Sequence, residues 1–272
     1  MGSTVDHRTY YSTTAVGAVS RRGARRQNNQ DAFLVDEYLS MYVVADGLAS
    51  LAGGEVASAI ACAQITDLLE DALNRIDVDA DCARQTAIPS AIRNCFRAAD
   101  RRIICEQSME PFLSRMGTTA LLAYIDVERE DSPATLPEYF LYLGNVGSCR
   151  ALLVRDGDVS QLTHDHTLAF GLRDAGNISA EQAMRHPGDN ELHMYLGGAI
   201  HDGPEIYSCP VFHGDRVVLM TDGITRVLDN EQAAALVTSI ADVDSAANIL
   251  ADAAFEHGAS DDVTCLVISV GD

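Results

Sequence analysis

Short apolar runs rich in β-branched residues recur along the chain, and only twice are they interrupted, each time by a pair of helical patterns. The runs are STTAVGAVS (12–20), AFLVD (32–36), LSMYVVA (39–45), TTALLAYID (118–126), EYFLYLGNV (138–146), RALLVRDG (150–157), EIYSCPVF (205–212), RVVLMT (216–221) and DVTCLVISV (262–270). Helical spacing predicts one pair at 54–73, with Val56, Ile60, Ala63 and Leu68 on one face, and at 87–107, through Ile88, Ile92, Cys95, Ala99 and Ile103. A second pair is predicted at 229–240 and 244–258, the latter ending on Gly258 as a C-cap. Strands, two helices, many strands, two helices and a last strand do not alternate as a parallel sheet requires. The order predicts an α+β fold with antiparallel sheets.

With 272 residues, 47% of them hydrophobic, the chain can bury a sizeable core, and one domain over 12–272 is expected, preceded by a disordered stretch at 1–11. Residues 164–203 carry Gly, Asp, Asn and His without a clear period; so long a connection predicts a lid or substrate-side flap. No run approaches the ~20 apolar residues of a membrane span, and the polar start MGSTVDHRTYYSTT lacks the order of a secretory signal. A cytoplasmic protein without membrane contact is expected.

The formal charge of −21 argues against a broad nucleic-acid surface, because neutralising phosphates takes clustered cations that acids here outnumber. All nineteen basic residues are arginine. The absence of lysine excludes Walker-type ATPases, lysine-dependent kinases and Schiff-base chemistry. Seven cysteines, odd in number and without a C-x-x-C pair, fit buried reduced thiols better than a disulfide framework. The C-x₅-R spacings Cys95–Arg101 and Cys149–Arg155 fall within a predicted helix and a predicted strand, where no phosphate-wrapping loop can form.

Two apolar runs end alike. MYVVADGLASLAGG (41–54) and RVVLMTDGIT (216–225) each carry Asp-Gly at a strand tip followed by a helical segment rather than a returning strand, so the hairpin that Asp-Gly ordinarily signals is disfavoured. Such tips present carboxylates at a sheet rim, with a glycine that lets a ligand approach the backbone. Hard oxygen donors suit Mg²⁺ or Mn²⁺. Asp261 or Asp262 in GASDDVTCLVISV would add a third acid, and Asp31 in RRQNNQDAF a fourth, with Arg26 nearby to clamp a phosphate. His164 and His166 are expected to be solvated loop residues, and Asp67, Glu70 and Asp71 the wet face of a helix.

Taken in order, RRQNNQDAF (25–33), VVADGLASLAGGEVAS (43–58), MGTTALLAY (116–124), LGNVGSCRALLVRDGDVSQLTHDHTL (143–168), VVLMTDGITRVL (217–228) and GASDDVTCLVISV (258–270) resemble the metal-dependent protein phosphatases of type 2C in their compact bacterial form, over about 12–270. The resemblance implies a four-layer α/β/β/α sandwich with a dimetal site at one end. It implies that Asp46 bridges two Mn²⁺ or Mg²⁺ ions, that the Gly47 carbonyl binds one and that Asp222 and Asp261 bind the other. Asp31 would hold the attacking water, Arg26 the substrate phosphate, and hydroxide would attack phosphorus in line.

Three positions depart from the family pattern. Leu48 replaces a histidine proposed as proton donor in animal members, leaving that role to water at the metals; Ser148 replaces an acid, which implies a weak or absent third metal; Gln30 replaces a common glutamate. The implied partners are phosphorylated proteins, with a cognate Ser/Thr kinase in opposition, and the implied state is a monomer. The rival reading is an inert family member that binds phosphopeptides or serves as a scaffold.

Overall fold

The computed structural model describes residues 14–48, 52–76, 81–127, 139–183, 186–188, 191–198, 200 and 203–271. The stretch expected to be disordered, 1–11, lies outside them. Two five-stranded antiparallel sheets dominate. The strands are β1 (Thr14–Arg21), β2 (Asp31–Asp36), β3 (Met41–Asp46), β4 (Ala120–Val127), β5 (Tyr139–Val146), β6 (Arg150–Arg155), β7 (Asp158–Gln161), β8 (Glu205–Val211), β9 (Arg216–Met220) and β10 (Val263–Val270). One sheet runs β1-β10-β9-β6-β7 and the other β2-β3-β4-β5-β8.

Side-chain alternation sorts these strands into layers. In β3, Tyr42 and Val44 enter a core shared with Leu219, Leu266 and Ile268 of the other sheet, whereas Met41, Val43 and Ala45 enter a core shared with two helices. Those helices are α1 (Gly54–Leu73) and α2 (Asp81–Met109). On the far side, Val263, Cys265 and Val267 of β10 pack beneath α6 (Asn230–Thr238) and α7 (Val243–Glu256). Helices, sheet, sheet and helices therefore form the expected four layers. Residues of β10 are buried on both faces, which explains why its sequence is mostly apolar instead of alternating.

Three local expectations need correction. The buried face of α1 is Ala57, Ala61, Cys62, Ile65 and Leu69; Ala63 is exposed, and Val56, Ile60 and Leu68 pack only at the margin. Small side chains win this face because they let the helix lie close on β2 and β3. Helix α2 begins six residues before the expected 87, although Pro89 inside it removes a donor and would ordinarily mark a first turn. Arg84 ties the extra turn to β4 through a forked pair with Asp126 (2.5 and 3.1 Å). RALLVRDG is not one strand: the chain reverses at Asp156 and Gly157, both at positive φ (53° and 88°), and returns as β7. This third Asp-Gly makes the hairpin turn that the other two do not.

The segment 164–203 carries α3 (Leu168–Asp174) and α4 (Ala180–Ala183). Among its described residues, Leu196 exchanges both backbone hydrogen bonds with Thr118, and His166 N donates to Gly147 O (3.0 Å). The expected Gly258 follows the His257 C-cap of α7 at φ 94°.

Candidate metal centre

The two Asp-Gly tips meet where the sheets' ends come together. Asp31 and Asp46 are direct cross-strand partners at the rim of β2 and β3, and Asp222, which opens the short helix α5 (Asp222–Thr225), follows β9 across the sandwich. A cleft of ~250 Å³ is lined by Arg26, Asp46, Gly47, Leu48, Ser148 and Asp222, with Arg226 and Asp261 on its rim, and Arg150, Asp165, Thr167, Leu192 and Thr225 completing the wall. Five of the six residues singled out in the sequence share this cleft. Asp31 lies behind it, its Oδ2 accepting from Thr221 Oγ1 (2.9 Å) and its Oδ1 buried without a partner.

The glycines are dictated by backbone contact. A Cβ on Gly47 would sit 2.4 Å from Gly54 O and 2.6 Å from Gln30 O; one on Gly223 would sit 1.9 Å from Asp262 O. No other residue fits either tip without moving main chain. Gly47 N donates to Gln30 O (3.1 Å), so the first tip is pinned to the loop that precedes Asp31.

The adjacent acids at 261 and 262 divide their work. Asp262 is buried and accepts from Gly23 N and Gln30 N (2.8 Å each), fastening the loop that carries Arg26. Asp261 faces the cleft, where its Oδ1 accepts from Arg26 Nε (2.7 Å). Arg226 bonds Asp222 and stands 4.0 Å from Asp261 Oδ2. The sequence reading did not single out Arg226, although its place four residues after Asp222 in a helical segment could have flagged the pair.

The electrostatics of the cleft are those of anions kept from water. Burial first, then the neighbouring Asp222 and Asp31, push the Asp46 carboxyl well above the ordinary range. Asp222 is raised by burial, with Arg226 opposing. Asp31 is pushed up to about 7 by burial, against hydrogen bonds from Thr264 and Thr221. Asp46 and Asp222 line the same cleft, and the charge of Asp222 is among the causes that raise Asp46. Two buried carboxylates so placed repel when ionised, and a divalent cation between them would relieve both. The donor set thus fits a hard cation. Among the described residues, no three acids, histidines or cysteines are already gathered as an ion cage, since Asp261 is drawn to Arg26 and Arg226 covers Asp222.

Beside the cleft, Arg150 makes a forked pair with buried Asp165 (2.9 and 2.6 Å). His164 is exposed as expected, pairing with Glu205 (2.5 Å). His166 corrects the expectation of a solvated residue: it is buried because its Nδ1 accepts from Gly147 N (2.9 Å), and burial lowers its pKa. Cys95 and Cys149 are buried with thiols raised by burial, Cys95 to about 12, which suits inert core residues and not nucleophiles.

A family model described as "Protein phosphatase 2C" matches residues 20–256. The serine/threonine protein phosphatase PstP of Mycobacterium tuberculosis H37Rv is 30% identical over 256 residues, a match covering 94% of this chain and 45% of that protein. The serine/threonine phosphatase stp of Listeria welshimeri is 25% identical over 250 residues, covering 91% of this chain and 92% of that one. Among solved structures, the M. tuberculosis phosphatase PstP/Ppp superposes with a TM-score of 0.77 at 28% identity, over 95% of this chain and 99% of that chain. The PstP catalytic domain in complex with two manganese ions gives 0.72 at 28% identity, over 95% and 99%.

Proposed function

Because the chain belongs to the protein phosphatase 2C family and is by that membership a protein serine/threonine phosphatase, we propose that it hydrolyses phosphoserine and phosphothreonine on proteins at the Asp46–Asp222 cleft, opposing a Ser/Thr kinase. The observation that carries this reading is that two carboxylates from separate strand tips, Asp46 and Asp222, line one cleft together with Arg26. Asp46, the Gly47 carbonyl, Asp222 and Asp261 would hold two Mn²⁺ or Mg²⁺ ions. Bound there, such ions supply Lewis-acid charge and an acidified water.

The chain's own residues account for the rest. Arg26 binds phosphate oxygens through its planar fork, leaving Asp261 to do so. Asp31 keeps one oxygen fixed by Thr221 and offers the other, unpartnered, to orient the attacking water. Water adds to phosphorus as the ester oxygen leaves, giving phosphate and the free hydroxyl. Leu48 has no proton to give, so the leaving oxygen takes its proton from water in the cleft.

Hydrolysis of a chromogenic aryl phosphate with Mn²⁺ or Mg²⁺, with and without chelator, tests the reading against Asp222→Asn. Metal-dependent turnover at least 100-fold above that variant is expected, on the order of an electrostatic contribution of about 3 kcal/mol. Equal rates would leave a phosphopeptide-binding module, the reading that Ser148 at the cleft wall favours.

A further inference from the structure

Arg226 follows Asp222 by one helical turn, and its guanidinium bonds the Asp222 carboxylate through Nη2. Its Nη1 stands 4.0 Å from Asp261 Oδ2. One cation therefore faces two acids that come from different segments, the start of α5 and the turn before β10, in the cleft already lined by Arg26 and Asp46. An ordinary helix-surface pair joins two solvated groups. Here the acid is only 8% exposed, and the arginine side chain keeps 38% exposure, enough for its head to move outward.

We propose that Arg226 is a resident cation of this cleft, which holds Asp222 and faces Asp261 while no ion is bound, and which a divalent cation must displace to reach those carboxylates. The inference rests on the reading of Asp222 and Asp261 as metal ligands. A guanidinium stays charged at any pH the protein experiences, so this occupant is always present. It opposes metal binding twice, by competing for the Asp222 oxygen and by repelling a like charge a few ångströms away. Both effects have the same sign. Removing the charge must tighten metal binding, whereas a guanidinium that merely held Asp222 in a productive rotamer would weaken it when lost.

The test is calorimetric titration of Mn²⁺ into the chelator-stripped chain, comparing wild type with Arg226→Met and Arg226→Lys. Methionine retains much of the stem without the charge. Its Kd for Mn²⁺ is expected to fall on the order of tenfold, the scale of a half-exposed charge interaction. The stripped Met variant is also expected to unfold at a lower temperature than wild type and to gain more from added Mn²⁺. Arg226→Lys keeps the charge and is expected within about threefold of wild type. If the Met variant is unfolded by circular dichroism, Arg226→Gln makes the same comparison. Unchanged or weaker Mn²⁺ affinity on loss of the charge would overturn the proposal. Failure of wild type to bind Mn²⁺ would remove the metal reading, and this inference with it.

Discussion

At the scale of single residues, the sequence put forward six for the site, and the fold brings five of them to one cleft. Acids at strand tips were legible because a carboxylate ending an apolar run has few structural uses. The division between Asp261 and Asp262 was not, since two neighbouring acids differ only in where the backbone turns them; Asp262 spends both oxygens on Gly23 N and Gln30 N. For Arg226, only the pair with Asp222 was within reach of local spacing; its approach to Asp261, remote in sequence, was not. The role given to Arg26 has a kinetic signature. Arg26→Ala is expected to raise KM for a phosphopeptide roughly tenfold with a smaller change in kcat, the scale of one charge-assisted fork. An unchanged KM would take phosphate binding away from this residue.

At the scale of the element, the three Asp-Gly pairs separate two meanings of one dipeptide. Gly157 has φ 88° and nothing within 4 Å of a built Cβ, so its requirement is conformational. Gly223 is required by contact, with Asp262 O at 1.9 Å from that position. Alanine at either site is expected to lower stability, by about 1 kcal/mol at 157 and about 3 kcal/mol at 223. Asparagine, which tolerates positive φ, should recover part of the loss at 157 and none at 223. Denaturant titration of the four variants decides this; equal behaviour of the two asparagines would defeat the distinction. The sequence showed where helices lie better than which face they bury. In α1 the fully buried face includes Ala57 and Ala61, whereas helical spacing pointed to Val56, Ile60, Ala63 and Leu68 instead. The start of α2 was hidden by Pro89 and depends on the Arg84–Asp126 pair, a long-range contact that no local pattern announces.

For the whole molecule, layering was readable because each strand's alternation and each helix pair's position agree on one sandwich, whereas strand order was not, because it depends on pairings distant in sequence. The layers also set the response to pH. Burial pushes the thiols of Cys62, Cys95 and Cys265 up to about 12, so the folded state keeps protons that an unfolded chain sheds from about pH 8.5. These thiols contribute their full stability below that pH, and each gives up about 1.4 kcal/mol per further pH unit until the folded pKa is reached. In reducing buffer, Tm is expected to fall steeply between pH 9 and 11; a flat profile would mean that these thiols ionise without unfolding.

The pairing of β1 with β10 joins residues 14–21 to residues 263–270, and β10 alone connects β1 to β9. On a ribosome, β1 must therefore wait, edge exposed, until residues 22–262 and then β10 have been synthesised. Asp261 arrives with the same segment, immediately before β10. The nascent chain thus completes the sheet that holds β1 and its acidic cleft together, and a chain stopped short of Asp261 has neither.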